Sequence, residues 1–175
     1  LEELGKADDT VICIVADHFP YGLDPDASPG NMPKLSELYG YEVKNYIQRD
    51  HNRIIMWCGS LEKEDPIVVD TPTTSLDILP TLMNLFGIKY DSRLLPGRDV
   101  FSDSMPLAFN LNYDWKTDLG TYLSSKGEFK PKDANTQIPE GYVQNVKSIV
   151  SNKIKFCKNA VGSNFYKLAV GDPNS

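Results

Sequence analysis

Asp17 and His18 are the residues in this sequence whose types and adjacency point most directly to chemistry. A carboxylate beside a neutral imidazole offers one hard and one borderline donor, a pair suited to a divalent ion such as Zn²⁺ or Mn²⁺. The same two residues have a plainer reading, in which Asp17 caps the following turn and His18 packs beneath it. Spacing alone does not choose between the two. A closed site needs about four donors, so further ligands would have to come from elsewhere. His51 is the only other histidine and stands just before the segment RIIMW. It is a candidate to face the site, set against a hydrated or helix-capping role. With two histidines in the chain, no Ser-His-Asp arrangement is evident.

The elements that must position this pair are legible as patterns. Val11, Ile12, Cys13, Ile14 and Val15 form an unbroken, β-branched apolar run, which predicts a strand buried on both faces inside a parallel sheet. Pro20 and Gly22 discourage its continuation, so Asp17 and His18 fall at its carboxyl end, where open α/β sheets place their ligands. The stretch YGLDPDASPGNMPKLSEL then reads as a surface loop at that sheet edge. Leu35, Leu38, Tyr39, Val43, Tyr46 and Ile47 recur at near-helical spacing, which suggests two helices broken at Gly40. Ile54 to Trp57 make a second short strand.

Farther along, Thr73 to Ser75 supply hydroxyls for a helix N-terminus, with Asp77 in its first turns and Gly87 as its stop. Ile78, Leu79, Leu82, Leu85 and Phe86 give that helix its apolar face, and Pro80 leaves its start open. LLPGRDVFSD predicts a turn around Pro96 and Gly97. From Pro106 the texture becomes an antiparallel meander, followed by the polar connection KPKDANTQIPEG. Val143, Val146, Val150, Ile154 and Cys157 then define a long amphipathic helix, and GSNFYKLAVGDPNS reads as a fraying tail. At the other end, Leu1 to Leu4 and Gly5 resemble the last turn of a helix, which suggests a start inside a larger domain.

Composition narrows the function classes. The 175 residues suffice for one domain with a sizeable core, and 41% hydrophobic with 24% charged residues is ordinary for a soluble globular protein. A formal net charge of −6 without a Lys/Arg cluster argues against a nucleic-acid partner. No apolar stretch approaches the ~20 residues that span a bilayer. The three cysteines, Cys13, Cys58 and Cys157, lack CxxC spacing and read as free thiols.

Four segments in this order, DDTVICIVADH, NRIIMWCGS, TTSLDILPTLMNLFGI and LLPGRDVFSD, resemble the second half of the sulfatase fold of the alkaline phosphatase superfamily. The branch they resemble is the lipoteichoic acid synthase type of Gram-positive bacteria. The resemblance covers roughly Asp8 to Phe129, with weaker similarity into the final helix. It implies an α/β, sulfatase-like (alkaline phosphatase-like) sandwich, here partial, with a C-terminal antiparallel meander and a final amphipathic helix. Residues 1–129 would be the C-terminal portion of the catalytic domain, and 130–175 the connection, helix and tail of the same domain.

The resemblance also implies a role for the opening pair. Asp17 and His18 would supply two ligands of a catalytic divalent metal, with Mn²⁺ first and Ca²⁺, Mg²⁺ or Zn²⁺ as other candidates. The remaining acidic ligand and the nucleophilic Thr would lie upstream, in the N-terminal half of the catalytic domain. Thr71, Thr73, Thr74 and Thr81 fall on the wrong side of the metal pair for that role. The parent would be an enzyme that transfers or hydrolyses phosphoryl or sulfuryl groups through a covalent intermediate. In this branch the substrate would be phosphatidylglycerol, or another phosphate or sulfate ester, and the acceptor a growing polyglycerolphosphate chain. The parent would stand on the extracellular face of the bacterial membrane, anchored by a transmembrane region outside this sequence; the present segment alone would be soluble and inactive.

Two departures from the family pattern matter. Ala16 stands where many members have Gly before the pair, and FPYGLDPDASPG replaces the more usual opening after it. Phe19, Pro20 and Tyr21 would therefore shape a different substrate rim. Asp77 and Arg98 belong to the recognisable motifs, yet their types suit a helix-start charge and a turn tether. The alternative function is a non-catalytic module that binds a cell-wall glycan or protein partner through Phe19, Tyr21, Trp115 and Tyr122, with core packing as the plainer role of those aromatics.

Overall fold

The computed structural model describes residues 1–28 and 30–171, so the end of the tail expected to fray lies outside the described residues. The chain forms two compact units, Leu1–Val69 and Asp70–Ser175. It mixes helices with antiparallel strands in two separate sheets, an arrangement compatible with part of an α/β domain.

In the first unit, strand β1 (Val11–Val15) pairs with β2 (Ile54–Cys58) in antiparallel register, Cys13 opposite Met56. This corrects the expectation of a parallel, doubly buried strand. Val11, Ile12, Ile14 and Val15 are all exposed, Ile14 by 59%. The β-branched run fixes the extended backbone, but it carries no information about which strand lies alongside or what covers the faces. A ribbon of two strands leaves much of both faces open. At its far end Gly59 comes so close to Ala7 that a Cβ would clash with the Ala7 backbone, and its N–H donates to Ala7 O at 3.1 Å.

Two helices follow the expected break. Helix α1 (Asn31–Tyr39) stops at Gly40, whose φ of 73° is the left-handed conformation that a C-terminal glycine supplies. Helix α2 (Tyr46–Arg49) begins at Asn45, whose side chain accepts from the Gln48 N–H at 3.0 Å. Leu35 and Val43 are the buried apolar side chains of this unit, whereas Leu38, on the anticipated apolar face, is exposed.

The second unit is built around a helix start and a sheet. Thr74 and Asp77 form a capping box at the entry to helix α3 (Ile78–Leu85): the Asp77 carboxylate accepts from Thr74 N at 2.9 Å. Pro80 sits in the first turn of α3, where its missing N–H costs no intrahelical bond. The other Asp77 oxygen accepts from Arg98 N at 2.8 Å, and Val100 N donates to Thr81 Oγ1 at 3.1 Å. The Pro96–Asp99 turn is thus laced to the helix start, and Gly97 is required there because a Cβ would collide with the Leu76 carbonyl. The Arg98 side chain reaches the carbonyls of Pro72, Asp99 and Val100. Asp77 and Arg98 act as the structural ties that their types suggested.

Strands β3 (Ala108–Phe109), β4 (Trp115–Lys116), β5 (Gly120–Leu123) and β6 (Glu128–Pro131) form an antiparallel meander in sequence order. Helix α4 (Tyr142–Gly162) contributes Val146, Val150 and Ile154 to a core with Leu107, Trp115 and Tyr122. Trp115 is fully buried, 5.4 Å from each of the Tyr122 and Phe129 rings. Core packing is therefore what Trp115 and Tyr122 do. The tail contains a short helix α5 (Phe165–Val170), docked by Tyr166 OH donating to Leu94 O at 2.9 Å.

One turn residue is strained. Tyr113, between β3 and β4, has φ of 64°, a conformation that disfavours a bulky side chain by about 1–2 kcal/mol. Asn110 holds it there: its carbonyl accepts from Tyr113 N, and its side-chain oxygen accepts from Asn112 N and Asp114 N.

Candidate functional site

Asp17 and His18 lie in the bend just beyond β1, as the position of the apolar run requires. His18 Nδ1 is 2.6 Å from the carbonyl of Phe19, and since a carbonyl only accepts, that nitrogen carries the proton. The lone pair of a neutral ring is then on Nε2, which faces Asp17 Oδ1 at 3.4 Å. Two acceptors facing each other at that distance repel unless a proton or a cation lies between them. The backbone bond on the far nitrogen is the kind of outer contact that fixes the tautomer and orientation of a metal-ligating histidine. These two donors could occupy two positions around a divalent ion. Asp17 is largely exposed, its side chain 88% accessible, so nothing within the first unit encloses the pair.

The rim residues lie immediately beside it. Tyr21 stacks flat on the His18 ring, with centroids 3.8 Å apart and planes 6° from parallel. Phe19 meets Tyr21 edge-on at 5.2 Å. Asp17, His18, Phe19 and Tyr21 thus form one cluster. His51 belongs to a different contact, in which the Tyr41 hydroxyl donates to Gln48 O at 2.9 Å and lies 3.1 Å from His51 Nδ1. Among the described residues no group of three or more His, Cys, Asp or Glu could hold a metal, so His51 does not extend the Asp17 and His18 pair into such a group.

Arg49 organises the loop behind the pair, and nothing in the sequence singled it out. Its guanidinium lies 4.1 Å from the Phe19 ring centroid and 4.5 Å from that of Tyr46. It also pairs with Asp50 at 2.8 Å, Asp24 at 3.6 Å and Asp26 at 3.8 Å. Burial works against its charge, but the hydrogen bond and field of Asp50, followed by Asp24 and Asp26, outweigh it and raise its pKa. Tyr46 OH donates to the Asp26 carboxylate at 3.0 Å, and that bond raises the phenol pKa. Through Arg49 the loop 19–26 is fastened to the last residue of α2. The available signal was an acidic, aromatic loop in a chain with few arginines, but no spacing rule connects Phe19 to Arg49.

Comparison with known proteins gives one informative result. The chain is 29% identical over 143 residues to the lipoteichoic acid synthase of Staphylococcus saprophyticus, a match covering 76% of this chain and 21% of that protein. The chain resembles a lipoteichoic acid synthase. It spans about a fifth of the length of that relative, and no family model matches it. The similarity supports the lipoteichoic acid synthase-like branch to which the motif order pointed. No helix among the described residues is long and apolar enough to cross a membrane.

Proposed function

We propose that this chain is the C-terminal part of a metal-dependent, sulfatase-like phosphotransferase of the lipoteichoic acid synthase type. Similarity to lipoteichoic acid synthase supports a phosphotransferase parent. The observation that carries the metal role is the approach of Asp17 Oδ1 and His18 Nε2 to 3.4 Å, with Nδ1 tied to the Phe19 carbonyl. Asp17 and His18 would hold two positions of the ion, Mn²⁺ by preference, because an imidazole suits Mn²⁺ better than Ca²⁺. When bound, such an ion stabilises charge that develops on a transferred phosphoryl group and lowers the pKa of a coordinated hydroxyl. The β1–β2 ribbon would be part of a larger sulfatase-like sandwich, with the other ligands and the nucleophile supplied by residues preceding this chain.

In this reading the chain's own contribution is positional. The Phe19 carbonyl holds the His18 proton on Nδ1, Tyr21 fixes the ring plane, and Arg49 anchors the loop that carries both aromatics. Phe19 and Tyr21 would form the rim met by phosphatidylglycerol, or by another phosphate ester, on the outer face of the membrane. The test is calorimetric titration of Mn²⁺ into a longer protein that includes the preceding sequence, with and without Asp17→Ala. Tight binding lost in the variant supports the reading, and unchanged binding in the variant overturns it. The present chain alone should bind Mn²⁺ weakly and show no turnover of phosphatidylglycerol.

A further inference from the structure

All 24 acidic residues of the chain lie outside positions 142–171, a stretch that carries Lys147, Lys153, Lys155, Lys158 and Lys167. Helices α4 and α5 therefore contain no carboxylate. Lys153 is turned inward, its Nζ donating to the Pro96 carbonyl. Lys155 and Lys158 are exposed and, among the described residues, in no ion pair. Three positions apart, they place two like charges side by side on α4, an arrangement that disfavours the helix itself. The helix dipole does not account for them, because its pull is confined to the last turn, and the last turn of α4 has no basic residue.

The same end of the second unit leaves apolar side chains in water. Val161 continues the stripe of Val146, Val150 and Ile154 past the end of the core and is 87% exposed. It follows Lys158 by three positions and so lies beside it on α4. Beyond the turn, Phe165 meets Phe156 edge-on at 5.3 Å, and with the Tyr166 bond to Leu94 O this fixes α5 against the unit. Leu168 and Val170 take no part in those contacts and are 77% and 70% exposed. The turn that Tyr166 touches brings Asp91 and Arg93, which pair with each other at 2.6 Å and add no net charge. By contrast, the exposed Leu4 follows Glu2 and Glu3, and the exposed Ile67 and Val68 lie between Asp65 and Asp70.

We propose that this end of the second unit docks on an anionic lipid surface. Val161, Leu168 and Val170 insert at the boundary between headgroups and acyl chains, and Lys155 and Lys158 meet the negative headgroups. Exposed apolar area supplies the insertion and unpaired lysines the attraction, the combination that holds a helix in the plane of a bilayer surface. An acidic protein surface fits less well, because it accounts for the lysines and leaves Leu168 and Val170 without a reason to be exposed. Such a contact lies on the bilayer and needs no spanning helix. It belongs to the second unit and holds whether or not Asp17 and His18, in the first, bind a metal.

The test is cosedimentation of the 175-residue chain with phosphatidylcholine vesicles, with and without phosphatidylserine. Phosphatidylserine supplies negative charge without being the proposed substrate lipid, so failure here and failure at Asp17 and His18 are distinguishable. The chain should bind the charged vesicles at least about tenfold more tightly than the neutral ones. Lys155→Gln with Lys158→Gln should weaken that binding about tenfold or more, since each lysine near such a surface contributes roughly fivefold. Lys126→Gln with Lys132→Gln removes the same charge from the two ends of β6 and should stay within about threefold. Leu168→Ser with Val170→Ser should lose about tenfold or more while the melting temperature is kept, both side chains being exposed. In Leu168→Trp the added indole should shift its emission to shorter wavelength on the charged vesicles, beyond any change in the unsubstituted chain. Equal losses from the two lysine pairs, or equal binding to neutral vesicles, would overturn the proposal. Full binding by the Leu168→Ser, Val170→Ser variant, or an unshifted indole, would overturn it too and leave the lysines to an acidic protein partner.

Discussion

The two units of this protein are held by different forces. The second unit stacks Trp115, Tyr122, Val146, Val150 and Ile154 into a continuous core and stitches its helix start with buried carboxylate bonds. The first unit buries Leu35 and Val43 and relies on Arg49, set between two rings and three carboxylates. Asp17 and His18, the adjacent pair suited to holding an ion, are in the weakly cored unit. Binding residues carried on loops tolerate this arrangement when a local polar clamp replaces apolar packing, because they need orientation more than bulk stability.

The sharpest way to break this comparison is to remove the centre of the second core. Trp115→Ala should destabilise the second unit by about 3–5 kcal/mol, seen as lost hydrogen-exchange protection in β3–β6 and α4. Next is Asp77→Ala, which leaves the amides of Thr74 and Arg98 without partners and should cost about 3 kcal/mol in urea unfolding. Asp77→Asn keeps an acceptor and should lose roughly half as much. A loss from Asp77→Ala below about 0.5 kcal/mol would show that the capping box is incidental.

Arg49 offers the smaller, complementary test in the first unit. Arg49→Met should cost about 1–2 kcal/mol and move the NMR signals of His18 and Tyr21 as the loop loosens. Arg49→Lys should not restore them, because an ammonium cannot lie flat between two rings. Full rescue by lysine would mean that only the charge matters. The smallest expected effect is a pH dependence from Lys153. Burial lowers its pKa from the ordinary 10.5, so between the lowered value and 10.5 the unfolded chain binds more protons than the folded one. Stability contributed by this group therefore rises with pH across that window. The urea midpoint measured from pH 8 upward should show that upward contribution in the native protein and lack it in Lys153→Met.

What could be read from the sequence follows the same division. Local chemistry was legible: Gly40 as a helix stop, Thr74 and Asp77 as a cap, the meander after Pro106 and the apolar stripe of α4 each depend on neighbours a few residues away. The position of Asp17 and His18 beyond a strand was legible for the same reason. Pairing was not. Val11–Val15 look alike whether the adjacent strand runs parallel or antiparallel, and their covering is a matter of distant residues. Arg49 was invisible because the residues it joins are separated by a loop and a helix, and no periodicity links them.

The tie between Asp77 and the Pro96–Asp99 turn has a consequence for tracing descent. The segments that make the chain recognisable, S-x-D-I-x-P-T-L and G-R-D-x-F-S, owe their residue choices to a capping box, a glycine that admits a carbonyl, and a carboxylate shared between two amides. Selection for folding alone suffices to preserve such positions. A descendant that had lost every metal ligand would keep these letters and still be recognised as kin. Resemblance at these segments therefore measures shared ancestry of scaffold and does not by itself report on chemistry, whereas the Asp17 side chain, 88% accessible, has no comparable part in holding the fold.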